Sequence, residues 1–252
     1  MKKQEEFQFS NGVVLVPVVF ILLIWLVFWF EIRFGMDFTK FGIFPQKLWG
    51  LRGVIFSPFI HSGIAHLYHN TIPLFVLTAA LFYFYKQMAW KVLFFGIMLS
   101  GLLTWSIGRP AYHIGASGLI YVLVSFLFFK GILTKHYRLI ALSLLVIFLY
   151  GSMIWYVLPI KEGVSWEGHL SGLLVGISFA FIFNKQIPKQ AKYYWEEPDY
   201  KPDEDPFLKH FDAAGNFIEN LPSEEDTEVS APEKTSEITV NYIYKRNKET
   251  LK

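Results

Sequence analysis

Long apolar runs separated by short polar stretches dominate the first three quarters of the chain. The runs cover approximately residues 13–30, 66–85, 88–107, 114–129, 139–160 and 164–183. Uncharged runs near this length match the roughly 30 Å hydrocarbon core of a bilayer. Lipid offers backbone groups no hydrogen bonds, and the runs lack the in/out alternation of barrel strands, so each is predicted to be a helix. The pattern predicts an all-α membrane protein with a bundle of six transmembrane helices.

The composition supports a membrane protein and argues against several other kinds of protein. The 252 residues are 53% hydrophobic and 19% aromatic, with a mean hydropathy of +0.36. The first run lacks a small-residue cleavage pattern after it, so we expect a retained helix and not a cleaved signal. A net charge of +2 gives no reason to expect nucleic-acid binding. The absence of cysteine excludes disulfides and thiol catalysis.

The distribution of lysine and arginine predicts the orientation of the bundle. With the N-terminus inside, ten of the basic residues near the runs lie on the inner side and six on the outer side. Four of those six are spread through one long loop, where the positive-inside rule is weakest. We therefore expect a multi-pass protein of the bacterial cytoplasmic membrane with both termini in the cytoplasm.

Polar residues from three separate runs are predicted to meet at one depth. In this orientation the second, fourth and sixth helices all enter from the outer face, and near their starts lie His66, Asn70, Ser117 and His169. At about 1.5 Å of rise per residue, these side chains lie shortly below the outer surface. Polar groups in membrane helices are expensive and are usually retained for function, so the convergence predicts a functional site.

Ser117 and His169 are the residue types that acyl transfer requires. A serine hydroxyl is a poor nucleophile until a base within about 3 Å takes its proton, and histidine is the usual base. His169, Gly172 and Gly176 share one helical face, where the missing side chains let another helix pack closely. We therefore expect Ser117 to be the nucleophile and His169 the general base. The two are expected to form a dyad, because no Asp or Glu is placed to orient His169.

Three further side chains complete the predicted site. Ser117 lies in the first turn of its helix, where free N–H groups favour an anion. His66 and Asn70 are one turn apart on one helical face and would both donate to an oxyanion. Tyr121 follows Ser117 by four residues, so its ring would pack against the His169 imidazole.

Simpler interpretations compete with this one. The Gly-Ala-Ser-Gly segment that ends at Gly118 is also typical of a helix contact surface, and His169 alone would serve as a hydrogen-bond donor to a neighbouring helix. His113 and His69 are competing bases; His113 lies in a Pro-containing loop, and His69 points about 100° away from His66.

A metal site is a further alternative. His61, His66 and His69 lie close together in the sequence. However, no acidic ligand and no His-Glu-x-x-His pattern accompanies them, so no metal is expected.

Jointly, these motifs resemble those of the rhomboid family of intramembrane serine proteases. The resemblance covers Trp49 to about Phe183 and implies the six-helix basic form, with residues 13–184 as the protease domain after a cytoplasmic N-terminus of residues 1–12. The matching motifs are Gly-x-Ser-Gly at Gly115, Ser117 and Gly118; His-x-x-Gly-x-x-x-Gly at His169, Gly172 and Gly176; and His-x-x-x-Asn at His66 and Asn70, preceded by His61.

The resemblance assigns a role to each matching residue. It makes Ser117 the nucleophile and His169 the base, on which Tyr121 stacks, and it gives His66 and Asn70 to an oxyanion hole completed by the backbone amide of Ser117. It also implies that residues 31–65 form a loop partly embedded in the outer leaflet. The family often has an adjacent Trp-Arg pair in this loop, whereas Gly50 and Leu51 separate Trp49 from Arg52 here.

The implied function is cleavage of a peptide bond in or beside the transmembrane segment of another membrane protein, through an acyl-enzyme. Its partners would be transmembrane substrates and membrane lipid, and no cofactor is implied. One alternative is a catalytically silent rhomboid-like protein that binds client transmembrane helices. Another is a channel or transporter, which more often has charged residues or broken helices at mid-membrane.

The remainder of the chain, residues 185–252, has a different composition. It is rich in Glu, Asp, Pro and Lys, which is typical of segments that bury too little apolar surface to fold. We expect a largely flexible cytoplasmic tail. Residues 212–216 have the composition of a turn, and residues 238–244 alternate like a strand that pairs locally or with an unknown partner, unless this is a plain linker.

Overall fold

A computed structural model of the chain describes residues 7–183 and 193–219. The chain divides into two compact units, Met1–Ala191 and Lys192–Lys252. In the described part of both units, every regular element is a helix or a 3-10 turn, and no strand is present. The predicted all-α class is therefore confirmed.

The first unit is built from apolar helices joined by loops. They are α1 (Gly12–Phe34), α2 (Ile64–Phe84), α3 (Lys86–Ile107), α4 (Ser117–Leu133), α5 (Tyr137–Tyr150) and α6 (Trp166–Ile182). Among the described residues, four segments are long and apolar enough to cross a membrane: Gly12–Phe34, Ile64–Phe84, Lys86–Ile107 and Tyr137–Val157. Helices α4 and α6 have 17 residues each. The sequence pattern predicts that α4 and α6 also cross the membrane, which would give six crossings, and this stays a prediction.

Helix α4 begins later than its apolar run. The run starts near residue 114, but Gly115 has φ +106, a conformation that an α-helix excludes. The helix therefore begins at Ser117 itself. The predicted fifth helix is also shorter: α5 ends at Tyr150, and a 3-10 helix, Gly151–Val157, follows it.

The loop between α1 and α2 is ordered by short helical turns. These are Thr39–Phe41, Leu48–Arg52, Gly53–Phe56 and Ser57–Phe59. The Arg52 guanidinium lies 4.9 Å from the Phe41 ring centroid and 5.8 Å from that of Trp49, and it donates to the Lys40 carbonyl at 2.8 Å. Trp49 and Arg52 thus contact each other although they are not adjacent in sequence. The embedding of this loop in the outer leaflet stays a prediction.

Helices α4 and α6 are in backbone contact through glycine. A Cβ atom at Gly172 would overlap the carbonyl oxygen of Gly118. A Cβ atom at Gly176 would overlap the Val122 carbonyl oxygen and the Ser125 hydroxyl. The two helices can approach this closely only because α6 carries no side chain at these two positions.

The described part of the second unit, residues 193–219, consists of short turns. Asp212 Oδ1 accepts hydrogen bonds from the backbone N–H groups of Ala214 and Asn216, both at 2.8 Å, and Gly215 has φ +83. The turn anticipated at residues 212–216 is therefore present. Hydrogen bonding to the Asn216 side chain and backbone holds the pKa of Asp212 below its usual value. The strand-like residues 238–244 and most of the predicted flexible tail lie outside the described residues.

The glycine contact predicts the outcome of adding a single methyl group. Gly176→Ala should destabilise the protein by about 1–3 kcal/mol, because backbone and buried side-chain atoms of α4 occupy the required space. Gly63→Ala is the matched control, since no atom of the described residues lies within 4 Å of a Cβ atom built there. Unfolding of both variants in detergent micelles measures the difference; equal stability would contradict the packing described here.

Candidate active site

Ser117 and His169 form a direct hydrogen bond at the N-terminal ends of α4 and α6. The distance from Ser117 Oγ to His169 Nε2 is 3.0 Å. On the other side of the ring, His169 Nδ1 lies 2.9 Å from the carbonyl oxygen of Tyr156. A carbonyl only accepts, so the neutral ring carries its proton on Nδ1 and leaves Nε2 free to accept from the serine hydroxyl. This is the protonation state that a general base for Ser117 requires.

The Tyr121 ring holds the imidazole from one face. The ring centroids of Tyr121 and His169 are 4.3 Å apart with an interplanar angle of 17°. The Tyr121 hydroxyl donates to the carbonyl oxygen of Met153 at 2.6 Å, which fixes the ring against the 3-10 helix that follows α5. The structure thus places Tyr121 where the sequence analysis expected it.

Two side-chain donors face the backbone just before Ser117. A Cβ atom built on Gly115 would lie 2.7 Å from His66 Nε2 and 3.6 Å from Asn70 Nδ2. Asn70 is 4% exposed, and its Nδ2 has no hydrogen-bond partner among the described residues. A buried donor left unpaired costs about 1–3 kcal/mol, so its position beside Ser117 favours a ligand atom as its partner.

These side chains line one cavity. Its volume is ≈ 850 Å³, and its lining includes Ser117, His169, His66, Asn70 and Tyr121. It extends to Lys161, an exposed residue in the loop before α6. The site is therefore accessible from the loops at the end of the helices where Ser117 and His169 lie.

His113, the first competing base, belongs to a different set of contacts. Its Nδ1 lies 2.6 Å from Ser165 Oγ, and its Nε2 lies 3.2 Å from the Arg109 carbonyl oxygen. Both ring nitrogens are thus occupied by groups other than Ser117. His169 is the histidine that contacts the serine hydroxyl.

His61 and His69, the remaining histidines of the metal-site alternative, lie near His66. The His61 ring is buried and meets the His66 ring edge-on, with centroids 5.0 Å apart. His69 is exposed and lines the cavity. In the part of the chain that the structure describes, no group of three or more His, Asp or Glu side chains is arranged to hold a metal ion.

A buried carboxylate that the sequence pattern did not predict lies beside the dyad, paired with an arginine whose side chain is 43% exposed. Glu167 is 1% exposed, and its carboxylate lies 3.3 Å from Arg109 Nη1. A signal was present, because Glu167 is a charged residue inside an apolar run. The carboxylate bonds with Arg109 and not with the His169 ring, whose Nδ1 faces the Tyr156 carbonyl.

The sequence of this chain matches one family model and several proteins of known sequence. A family model described as Rhomboid domain matches residues 45–186. Uncharacterized proteins of Mycobacterium tuberculosis strain H37Rv and of Mycobacterium bovis are each 37% identical to this chain over 181 residues, which is 66% of this chain and 73% of theirs. An uncharacterized protein of Mycobacterium leprae is 33% identical over 159 residues, 57% of this chain and 60% of its own.

The stacked ring predicts a graded effect on the reactivity of Ser117. Tyr121→Leu should slow phosphonylation of Ser117 by a small fluorophosphonate roughly two- to tenfold, because an aromatic stack contributes about 0.5–1.5 kcal/mol. Tyr121→Phe keeps the ring and should stay closer to the native rate. Labelling time courses at matched folded amounts measure the rates of both variants. Slower labelling of Tyr121→Phe than of Tyr121→Leu would contradict a role for stacking.

Proposed function

The chain belongs to the rhomboid family, and on this premise we propose that it is an intramembrane serine endopeptidase with Ser117 as nucleophile and His169 as general base. The observation that carries the proposal is the 3.0 Å hydrogen bond between Ser117 Oγ and a histidine nitrogen that its neighbours leave unprotonated. No other catalytic group is needed to deprotonate the serine.

The proposed reaction begins with attack of Ser117 Oγ on the scissile carbonyl carbon, while His169 Nε2 takes the hydroxyl proton. The tetrahedral oxyanion accepts hydrogen bonds from Asn70 Nδ2, His66 Nε2 and the Ser117 backbone N–H. Collapse breaks the C–N bond, and His169 returns the proton to the leaving amine. Water then hydrolyses the acyl-enzyme with the same base, which regenerates the free serine.

His66 must carry its proton on Nε2 to act as an oxyanion donor. Its Nδ1 lies 3.2 Å from the Ser62 hydroxyl, which can donate as well as accept. When Ser62 donates to Nδ1, the ring proton is on Nε2, the nitrogen next to Gly115. The contact supports the role proposed for His66.

We place the reaction in a bacterial cytoplasmic membrane, with α4 and α6 as the two further crossings and both termini in the cytoplasm. The 17 residues of each helix rise about 26 Å, less than the roughly 30 Å of hydrocarbon. Ser117, the first residue of α4, would then lie below the outer surface and receive water through the cavity. The mycobacterial origin of the relatives supports a bacterial membrane.

The proposed substrates are transmembrane helices of other membrane proteins, on which the family acts. A helical segment hides its scissile bond within its own hydrogen bonds, so it must unwind before attack. Substrates with helix-breaking residues near the cleavage site are therefore favoured.

Substitution of either member of the dyad is expected to remove proteolysis. Ser117→Ala and His169→Ala should each lower cleavage of single-span substrates in liposomes by more than about a thousandfold. Ser178→Ala is the matched control, because Ser178 lies exposed on α6 and its hydroxyl donates to the Leu174 carbonyl of its own helix.

Two results would contradict the assignment. Undiminished cleavage by Ser117→Ala would exclude Ser117 as nucleophile. A native chain that binds but cleaves no member of a broad substrate panel, and whose Ser117 reacts with no fluorophosphonate, would support the silent client-binding alternative.

The oxyanion donors predict a loss confined to the chemical step. Asn70→Leu should lower kcat about 10²–10³-fold with little change in KM, since the donor acts on charge that develops in the transition state. Thr71→Val on the same helix is the control, because Thr71 bonds to Trp25 and the Leu67 carbonyl, away from Ser117. A change in KM alone would exclude Asn70 from the oxyanion hole.

A further inference from the structure

A buried carboxylate lies beside the dyad without touching it. Glu167 is in the first turn of α6, two residues before His169, and is 1% exposed. Its oxygens accept from the Arg109 backbone N–H at 3.2 Å and from Arg109 Nη1 at 3.3 Å. Arg109 lies in the loop from α3 to α4, which ends at Ser117. The ion pair therefore joins the segment that precedes the nucleophile to the helix that carries the base.

A second set of contacts joins the same two segments. Arg109 Nη2 donates to the Val164 carbonyl oxygen at 2.9 Å. His113 Nδ1 lies 2.6 Å from Ser165 Oγ, and that oxygen accepts from the Gly168 N–H as the N-cap of α6. Arg109 and His113 both lie in the loop before α4, and both thus contact residues at the start of α6.

The contacts extend to the first outer loop. The backbone of His113 pairs with that of Ile43 in both directions, at 2.9 and 3.0 Å. Burial lowers the pKa of His113, which favours its neutral form. In that form Nε2–H donates to the Arg109 carbonyl and Nδ1 accepts from Ser165, so all these contacts are compatible with one protonation state.

This cluster is not a second catalytic triad. Glu167 Oε2 lies 4.0 Å from His113 Nδ1, the nitrogen that already faces Ser165. In a triad the acid contacts the opposite nitrogen from the serine. The Ser165 hydroxyl also caps α6. The geometry is therefore one of attachment between segments.

We propose that the Glu167–Arg109 ion pair positions the catalytic dyad, by fixing the loop that leads to Ser117 against the start of the helix that carries His169. The inference rests on the proposed protease function. Glycine contacts along α4 and α6 set how near the helices lie, but they are small and apolar and give little control over the register of the outer ends. A charge pair with several directional hydrogen bonds supplies that control.

The central test is Glu167→Gln, scored by steady-state cleavage in liposomes. We expect kcat to fall about ten- to a hundredfold, because an error near 1 Å between reacting groups has an effect of this size. KM should change less than about twofold, since a side chain that is 1% exposed contacts no substrate. Glu204→Gln is the matched control: it removes the Lys201–Glu204 pair, whose side chains are 68% and 67% exposed, and should leave kcat unchanged.

A double-variant cycle tests whether the pair acts as a unit. Removing Arg109 leaves the buried Glu167 charge uncompensated, whereas the Arg109 side chain is 43% exposed to solvent. The fraction of native kcat retained by the Arg109→Gln, Glu167→Gln double variant should therefore exceed the product of the fractions retained by the two single variants. Arg109→Lys keeps the charge and should retain more activity than Arg109→Gln. Because Arg109 also lines the cavity, fluorophosphonate labelling of Ser117 is measured in parallel, and it should slow with kcat.

The outcomes separate this inference from the function on which it rests. All rates are compared with the native chain and with Ser117→Ala at matched folded amounts; if Glu167→Gln does not fold, Arg109→Lys and Arg109→Gln decide the question. An unchanged kcat, an effect on KM alone, or independent losses in the double variant would overturn the positioning role while leaving the protease intact. An inactive native chain would overturn the proposed function and this inference together.

Discussion

The backbone contact between α4 and α6 sets the geometry on which the site depends. Lipid provides no hydrophobic drive for helices to associate, so close van der Waals packing must do so, and residues without large side chains allow it. Gly172 and Gly176 leave α6 free of Cβ atoms where the α4 backbone lies. Because α4 starts at Ser117 and His169 lies in the first turn of α6, the same contact brings the two N-terminal ends together, where the Ser117 hydroxyl lies 3.0 Å from an imidazole nitrogen.

Polar side chains between helices packed in lipid have few hydrogen-bond partners, so each of their contacts is specific. The Tyr156 carbonyl fixes the proton of His169 on Nδ1, and the Tyr121 ring limits rotation of the imidazole. Glu167, in the first turn of α6, is compensated by Arg109 from the loop before α4. The buried Nδ2 of Asn70, in contrast, has no partner among the described residues, and the proposed oxyanion would provide one.

Side-chain chemistry and helical periodicity could be predicted from the sequence, whereas contacts made by backbone groups and loops could not. The face shared by His169, Gly172 and Gly176 follows from 3.6-residue spacing. The start of α4 could not be predicted, because hydropathy does not report the positive φ of Gly115. The contact between His169 and the Tyr156 carbonyl could not be predicted either, because a backbone carbonyl leaves no mark on the sequence. Glu167 was visible as a charge in an apolar run, but its pairing with Arg109, 58 residues away, depends on how the loop before α4 meets the start of α6.

If His169 activates Ser117 and no other hydroxyl, a fluorophosphonate should react at one residue. Tandem mass spectrometry of the native chain after this reaction in liposomes measures this most directly. We expect a single adduct, on Ser117, which is absent when His169 is replaced by alanine. An adduct on another residue such as Ser165, labelling of Ser117 that persists without His169, or no adduct on the folded native chain would contradict it.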